Sequence, residues 1–380
     1  MTTHVRAFLL VVYLLCATPP VLLAQQDVRP PLHTSGYDIL DAAGHRVRLT
    51  SVNWYGFDQR EFVAGGLDVA PLQVIIEQIR AIGVNSVRLP WAKETFEKNP
   101  VVPDYAVKAN PKFKGQHTLE VMDAVIAALA RAHILIILDK HMSRADWCCK
   151  DDDDNGLWYN AEYPERNWLA DWRAIARRYK KQRWVIGADL RNELRSGAQW
   201  GSSDPRLDWH TAAERGGNAV LAENPELLIM VEGPQYSTDF TSFGTLPLVL
   251  KVAQRVVYSP HAYALPGHAF QNYEELRETY DARAGFLLHA EPAIPLWVGE
   301  FGACQTLDCG DNNQWFRWFI QYLREKDLSW RYWPLNGTQS SGVSRKYGAV
   351  ETYGLLSPDY RQIGAPKLVE LLRTIENPPR

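Results

Sequence analysis

Short apolar runs alternate with longer segments of helical spacing along most of the chain. The apolar runs predict eight strands at 49–55, 86–91, 134–138, 185–190, 227–231, 255–259, 296–298 and 329–332. Strands that are apolar throughout are typical of a parallel sheet that is buried on both faces. The pattern therefore favours an α/β fold over an antiparallel sheet with one solvated face.

A segment with helical spacing follows each predicted strand. These helices are expected at 71–82, 119–132, 164–181, 207–223, 238–250, 273–289, 313–326 and 365–374, and the pattern is weakest at 238–250. A small β-hairpin is predicted before them over 37–49, with its turn at Ala43-Gly44. Eight strand–helix units in one run most economically close into a (β/α)8 TIM barrel as a single domain. A doubly wound open sheet would require a glycine-rich phosphate loop after the first strand, and the sequence at 53–57 does not provide one.

The first 24 residues predict a secretory signal peptide, with a thin positive start, an apolar stretch and a cleavage point near Ala24. Two adjacent prolines interrupt the stretch and leave it shorter than the ~20 residues of a membrane span. Cys16 raises a lipoprotein signal as the alternative, but Leu15 fits poorly where a small residue is needed. We expect a secreted or periplasmic catalytic domain over 25–380 without a membrane span.

Composition narrows the classes of function. The formal net charge of -3 over 380 residues provides no basic surface for nucleic acid. The 14 Trp residues are many, and Trp offers a flat apolar face with one donor on which a sugar ring can stack. We see no internal repeat and no low-complexity linker that would mark an appended module.

Four cysteines remain after the signal peptide, and an exported protein would be expected to pair them. Cys304 and Cys309 close a short loop, whereas Cys148 and Cys149 are neighbours that follow the opposite side of the predicted barrel. Because bridged Cα atoms must lie within ~7 Å, we predict the pairs Cys304–Cys309 and Cys148–Cys149. A zinc site is the competing interpretation, but these spacings are poor for it and we assign no metal.

Polar side chains collect where the predicted strands end. In a barrel these carboxyl ends meet at one mouth, where active sites lie. A helix cap could explain any one of them, but not so many on one side of the strands. The set is Asn53, Arg88, His141, Asn192, Glu193, Glu232, His261, Tyr263, Glu300 and Trp333.

Two carboxylates in this set point to a reaction. Glu193 and Glu300 end the fourth and seventh strands, and paired carboxylates across a barrel mouth are the equipment for glycoside hydrolysis. Arg88 and Tyr263 are suitable partners to keep one of them ionised. Asn192 could bind a sugar 2-hydroxyl, and Trp333 could stack under the ring.

Seven stretches together resemble glycoside hydrolase family 5, the cellulase family of retaining (β/α)8 glycosidases. They occur in family order at 51–57, 87–90, 139–141, 190–193, 261–263, 298–302 and 332–333. Each motif is weak alone, but the set agrees in order and spacing with strands predicted independently.

The resemblance implies a role for each matching residue. It makes Glu193 the acid/base and Glu300 the nucleophile. The expected substrate-binding residues are Arg88 and Tyr263, which would orient Glu300, Asn192 at the 2-hydroxyl, His141 and His261 in the central subsite, Trp333 under the sugar, and Asn53. Leu194 departs from the family, which often has Pro after the acid/base, so the resemblance does not define the subsite for the leaving sugar.

The family pattern implies a retaining endo-β-1,4-glucanase that acts as a monomer on polysaccharide or oligosaccharide without a cofactor. A β-mannanase, another β-glucanase and a glycolipid-directed β-glycosidase remain alternatives, because the fold alone does not decide the substrate. A non-catalytic carbohydrate-binding barrel would lack one glutamate. A metal-dependent hydrolase would require more ligands at strand ends than His141 and His261.

Several geometric expectations follow. The two carboxyl groups should lie roughly 5–5.5 Å apart, as in retaining enzymes. Glu300 should raise the pKa of Glu193, and Arg88 should lower that of Glu300. The loop residues Trp147, Trp158 and Trp200 are candidate sugar platforms, whereas Trp168, Trp172, Trp209, Trp315 and Trp318 are expected in the core. The acidic run at 151–154 is expected to be a solvated loop rather than a calcium site.

Overall fold

The computed structural model describes residues 28–264 and 269–376. The predicted signal peptide over 1–24 lies outside these residues. Among the residues that are described, no helix combines the length and hydropathy that crossing a bilayer requires.

A small antiparallel hairpin precedes the main sheet. It pairs β1 (His33–Ser35) with β2 (Asp38–Leu40), and its turn lies at Gly36. The predicted turn at Ala43-Gly44 is also present: Leu40 bridges Arg46, and the Gly44 amide donates to the Asp41 carbonyl oxygen at 2.9 Å. The regular strands therefore begin earlier than the predicted range of 37–49.

The main sheet contains nine strands, and all of its pairings are parallel. They are β3 (Thr50–Asn53), β4 (Ser86–Ala92), β5 (Leu135–Met142), β6 (Val185–Asp189), β7 (Leu228–Val231), β8 (Val256–Tyr258), β9 (His261–Ala262), β10 (Trp297–Phe301) and β11 (Ser329–Tyr332).

These nine strands occupy eight positions of a closed barrel. β8 pairs with β7 and β9 pairs with β10, and the two pieces are separated by Ser259-Pro260. Tyr258 also bridges Leu296 beside β10. Proline has no N–H to donate to a ladder, so the sixth strand position is interrupted there. The prediction of a (β/α)8 barrel is confirmed.

Helices surround the barrel. They are α1 (Leu72–Ile82), α2 (Lys93–Lys98), α3 (Thr118–Arg131), α4 (Glu165–Arg178), α5 (Trp209–Glu223), the single left-handed turn α6 (Pro234–Ser237), α7 (Tyr273–Arg283), α8 (Asp311–Glu325) and α9 (Pro366–Arg373). Caps fix several ends: α1 stops at Gly83, whose φ is 107°, and the Asn272 side chain accepts from the Glu275 amide at the start of α7.

The fifth unit is the exception, and the helix predicted over 238–250 is wrong. These residues are all described and form turns instead. Gly244 and Pro247 interrupt the helical spacing, and proline cannot complete a helical ladder. Phe240 and Phe243 are nevertheless buried against Tyr258, so the segment still covers the sheet.

The barrel interior has an apolar lower half and a charged upper half. Leu135 and Ile137 of β5 share one apolar cluster with Val28, Leu32 and other buried residues of the N-terminal segment, which fills the lower end. Side chains alternate between the two faces of a strand, so the next inward position on β5 is Asp139. That alternation places polar residues in the upper half.

Candidate active site

Two glutamates meet at the mouth of the barrel. Glu193 follows β6 and has a positive φ of 43°, and Glu300 lies in β10. Three atoms lie within 4.8 Å of one another: one carboxylate oxygen of Glu193, one carboxylate oxygen of Glu300 and one ring nitrogen of His261. The carboxyl groups of inverting enzymes stand roughly 6.5–9.5 Å apart, so this close approach favours the shorter, retaining arrangement.

Glu300 has both of the partners that the sequence predicts. The Arg88 Nη1 donates to its Oε1 at 2.7 Å, and the Tyr263 hydroxyl donates to its Oε2 at 3.1 Å. Arg88 comes from β4 and Tyr263 from the residue after β9, so neighbouring and distant strands both contribute. The two contacts occupy both carboxylate oxygens and fix the orientation of the group.

Arg88 binds four carboxylates at once. Besides Glu300 it lies 3.1 Å from Asp139, 3.0 Å from Asp189 and 2.8 Å from Glu232, and it is fully buried. Its charge is therefore shared among side chains from β5, β6 and β10 and from Glu232, the residue after β7. These carboxylates raise the pKa of Arg88 despite its burial, so the guanidinium stays charged.

His261 lies between the acidic groups. Its Nδ1 is 3.1 Å from Glu193 Oε1 and 3.8 Å from Glu300 Oε2, and its Nε2 is 3.2 Å from Glu232. Burial alone would lower the pKa of His261, but the charges of Glu232 and Glu300 outweigh it and raise that pKa to about 10. The ring is thus an imidazolium at neutral pH. We call the buried group of Arg88, Asp139, Asp189, Glu232 and His261 the floor.

In the protein alone, the pKa values of the two glutamates are shifted in directions opposite to those predicted. Burial acts to raise the pKa of Glu193, but the hydrogen bond and charge of His261 outweigh it and lower that pKa. Burial raises the pKa of Glu300 in spite of His261 and Arg88. The prediction was wrong because the burial of Glu300 outweighs Arg88 and His261, while the hydrogen bond and charge of His261 outweigh the burial of Glu193.

His141 and Asn192 hold one another in place. The His141 Nδ1 is 2.7 Å from Asp139, and burial lowers the pKa of His141 to about 4, so the ring is neutral. Asn192 Oδ1 accepts from Arg88 at 2.9 Å. Its Nδ2 is therefore the group turned toward His141 Nε2, at 3.4 Å, and toward the cleft. Trp333 stacks on the His141 ring, with centroids 5.3 Å apart and planes 6° apart.

Above these residues lies a cleft of about 400 Å³. Its lining residues are His141, Trp147, Cys148, Cys149, Asn192, Glu193, Tyr236, Tyr263, Glu300, Trp333, Arg345, Glu351, Thr352 and Tyr353. The structure thus brings both glutamates and four predicted substrate-binding residues, His141, Asn192, Tyr263 and Trp333, to one surface.

Three predicted substrate-binding residues do not reach that surface. Asn53, Arg88 and His261 are at most 3% exposed and lie beneath the cleft. Asn53 accepts from Arg88 at 3.1 Å and donates to the Tyr332 carbonyl oxygen at 3.1 Å. Arg88 and His261 contact the two glutamates from below, and Asn53 contacts Arg88 and β11, so in this structure the three residues support the cleft from beneath.

The tryptophans divide differently from the prediction. Trp147 lines the cleft, but Trp158 and Trp200 are buried and are not among its lining residues, so their assignment as platforms of this cleft is wrong. Trp200 stacks on Phe243 of the fifth unit, with centroids 3.6 Å apart. The helical tryptophans pack in the core as expected: Trp168, Trp172, Trp209, Trp315 and, partly buried, Trp318.

Sequence reasoning missed part of the cleft. Arg345, Glu351, Thr352 and Tyr353 come from the long connection between β11 and α9, which has no helical or strand period. The Arg345 guanidinium lies 3.6 Å from the centroid of the Trp147 ring and pairs with Glu351. We call residues 147–149 and 345–353 the rim. The sequence signal that could have identified this part of the cleft is the density of charged and aromatic residues in the irregular segment 345–353.

The structure contains the disulfides Cys148–Cys149 and Cys304–Cys309. The acidic run at 151–154 is largely exposed, although Asp153 pairs with Arg195 and Asp151 accepts from the Tyr236 hydroxyl. Glu232, named only as a strand-end residue, belongs to the floor and accepts from the Glu193 amide at 2.7 Å.

Comparison with known proteins identifies a consistent set of relatives. A family model described as cellulase (glycosyl hydrolase family 5) matches residues 40–339. An endoglucanase of Paenibacillus polymyxa is 32% identical over 96% of this chain and 92% of its own length. The major extracellular endoglucanase of Xanthomonas campestris pv. campestris is 32% identical over 89% of this chain and 69% of its own length.

Solved structures agree with this fold. The catalytic domain of the Xanthomonas endoglucanase aligns with a TM-score of 0.80 at 28% identity, covering 91% of this chain and 99% of that one. A variant endocellulase of Pyrococcus horikoshii in complex with cellotetraose aligns with a TM-score of 0.77 at 25% identity, covering 91% and 98%.

Proposed function

The chain belongs to glycosyl hydrolase family 5, and on that basis we propose that it is a retaining endo-β-1,4-glucanase. The observation that carries the proposal is the approach of the Glu193 and Glu300 carboxylate oxygens to within 4.8 Å. An attacking carboxylate must reach the anomeric carbon itself, without an intervening water, and this spacing suits direct attack.

In the first step Glu300 attacks the anomeric carbon. A bond forms between a Glu300 carboxylate oxygen and that carbon while the glycosidic C–O bond breaks. Glu193 gives its proton to the departing oxygen, which leaves as a hydroxyl of the second sugar. Arg88 and Tyr263 hold Glu300 by both oxygens, at 2.7 and 3.1 Å, so the nucleophile is already oriented.

In the second step water releases the sugar. Glu193, now ionised, takes a proton from the water as its oxygen attacks the anomeric carbon. The ester bond to Glu300 breaks and both glutamates return to their starting forms. Two inversions at one carbon leave the configuration unchanged.

The lining residues are suited to hold the sugar at the reacting carbon. Asn192 Nδ2 can donate to the 2-hydroxyl because its Oδ1 is engaged by Arg88. Trp333, stacked on His141, offers an aromatic face to the ring. These contacts would fix the anomeric carbon between the two glutamates.

Substrate is expected to adjust the proton on Glu193. The pKa of Glu193 is lowered in the protein alone, and its side chain is 15% exposed. A sugar over this carboxylate would remove its remaining water, and desolvation favours the neutral form. We therefore expect binding to raise the pKa of Glu193 toward the form that donates.

The substrate, location and assembly are part of the proposal. The named relatives, an endoglucanase and an extracellular endoglucanase, support a β-1,4-glucan outside the cell. We propose that residues 1–24 direct export, that 25–380 form one catalytic domain, and that this domain works as a monomer. Sequencing of the secreted N-terminus should begin near Gln25, and sedimentation should give the mass of one chain.

An activity panel tests the substrate. We expect fastest hydrolysis of carboxymethyl cellulose, with internal cleavage shown by product length, over mixed-linkage β-glucan, mannan, xylan and a glycolipid. A chelator should leave the rate unchanged. NMR of the first products should show the β-anomer. Initial release of the α-anomer, or faster cleavage of mannan or glycolipid, would contradict the proposal.

Two glutamate variants test the roles. Glu300→Ala should lose turnover, and added azide should give an α-glycosyl azide by direct displacement. Glu193→Ala should retain activity on an activated aryl glycoside, and azide should give the β-glycosyl azide by attack on the covalent intermediate. The opposite pattern would reverse the roles.

A further inference from the structure

The sulfur atoms of Cys148 and Cys149 lie on the cleft surface beside the proposed acid/base. Cys148 Sγ is 3.8 Å from Glu193 Oε2 and 3.9 Å from Asn192 Nδ2, and both cysteines line the cleft. The second disulfide, Cys304–Cys309, closes a loop after β10 and is not among the lining residues of this cleft.

The two oxygens of Glu193 face opposite neighbours. Oε1 is turned to His261, which itself lies 3.8 Å from Glu300, and Oε2 is turned to Cys148. Glu300 marks the position of the anomeric carbon under attack. The disulfide therefore lies beside the Glu193 oxygen that is not turned to His261, and that oxygen is free to carry the proton for the leaving sugar.

Arg195 holds this side of the cleft rigidly. Its guanidinium is 1% exposed and joins three backbone or side-chain groups: it donates to the Glu193 carbonyl oxygen and the Lys150 carbonyl oxygen, each at 2.9 Å, and pairs with Asp153. The segment that carries the cysteines is thus fixed to the residue that carries the proton. A wall held in this way keeps its distance from Glu193.

A disulfide is uncharged and polarizable, and it brings no strong hydrogen-bond donor next to the carboxylate. Sugar rings present C–H faces that pack on apolar surfaces such as aromatic rings, and Trp147, next in sequence, lines the same cleft. We propose that the Cys148–Cys149 disulfide forms the wall of the subsite that receives the leaving sugar. This inference rests on the proposed function and specifies how the leaving sugar is held.

Two substrates separate this role from a general one. Cellotetraose places sugars on both sides of the scissile bond, whereas β-cellobiosyl fluoride places none on the leaving side. For Cys148→Ala/Cys149→Ala we expect kcat/KM on cellotetraose to fall about tenfold, because one apolar contact with the leaving sugar is lost. On the fluoride, kcat/KM should stay within about twofold of the parent value. The matched control Cys304→Ser/Cys309→Ser should stay within about twofold on both.

A second measurement tests the inference even if the Cys148→Ala/Cys149→Ala variant does not fold. In the Cys304→Ser/Cys309→Ser protein, reduction by a phosphine leaves Cys148–Cys149 as the disulfide to open, and alkylation followed by mass spectrometry counts the thiols. The same selective loss on cellotetraose, reversed by reoxidation, is expected.

Equal losses on both substrates, or no loss on either, would overturn the inference. Hydrolysis of neither substrate by the unmodified protein would instead overturn the proposed function, and the inference with it.

Discussion

The floor and the rim of the cleft differ in the residues and in the secondary structure that form them. The floor consists of buried charges on consecutive barrel strands, where Arg88 contacts four carboxylates and His261 lies between Glu193 and Glu232. The rim consists of loop residues, with Arg345 over Trp147 and a disulfide beside Glu193.

This difference separates two tasks. The floor touches no substrate surface but sets the charge and orientation of both glutamates, so it should govern kcat and stability. The rim contacts the cleft and has little charge directed at the reacting carbon, so it should govern KM. Variants in each region can test that division.

The largest effect is expected for Arg88→Met. Removing this cation leaves four buried carboxylates without a shared partner, and breaking such a cluster costs about 3–5 kcal/mol. The free energy of unfolding in urea should fall by that amount, and kcat by at least about 100-fold.

Arg331→Met is the matched control for Arg88. Arg331 is also fully buried and lies 3.0 Å from Asp189. It should lower the free energy of unfolding as well, but reduce kcat much less, since no contact joins it to Glu300 among the described side chains. Equal losses of kcat in the two variants would remove the special role of Arg88.

The next effect concerns pH. His261 lowers the pKa of both glutamates, so His261→Asn should raise both. Activity requires ionised Glu300, lost as pH falls, and protonated Glu193, lost as pH rises. Both limbs of the kcat/KM profile should therefore move to higher pH. A profile that keeps its position would show that the imidazolium does not control the pair.

The pH dependence of stability should also differ between the parent protein and His261→Asn. The pKa of His261 is about 10 in the folded protein and roughly 6.5 in the unfolded chain. Its contribution to the free energy of unfolding is fully present below pH ~6.5 and is lost as pH rises toward 10. Tm should thus fall more steeply over this range in the parent protein than in His261→Asn.

A rim variant should act on binding. Trp147→Ala removes an aromatic face from the cleft, and KM for cellotetraose should rise about three- to tenfold while kcat stays within about twofold. Trp318→Ala, on the outer helix α8, serves as a control for loss of an indole away from the cleft. A fall in kcat equal to that of a floor variant would end the distinction between the two regions.

The smallest effect is expected for Arg345→Gln. Arg345 stacks on Trp147 and pairs with Glu351, so it acts by holding the ring. KM should rise about two- to threefold. The double variant with Trp147→Ala should have the same KM as Trp147→Ala alone, because both substitutions remove the same contact. Additive losses would mean that Arg345 binds substrate by itself.

Sequence alone determined the eight strand positions and the polar ends. Continuous apolar runs with regular helices between them have few solutions, and a closed parallel barrel is the most economical. Because strand ends share one mouth, Glu193, Glu300, Arg88 and Tyr263 could be placed together before their contacts were known. The prediction of the fifth helix was wrong because the buried Phe residues have helical spacing, but Gly244 and Pro247 prevent a helix from forming there.

Tertiary structure decided which of those residues reach the cleft and how they are charged. Asn53, Arg88 and His261 end strands as Asn192 does, but only Asn192 of these four is among the lining residues of the cleft. Burial and Coulomb interactions act through space, and Arg88 and Glu300 interact although they are 212 residues apart in the sequence. No periodicity in the chain records how deeply Glu300 is buried or that His261 lies beside Glu193, and these two features set the directions of the glutamate pKa shifts.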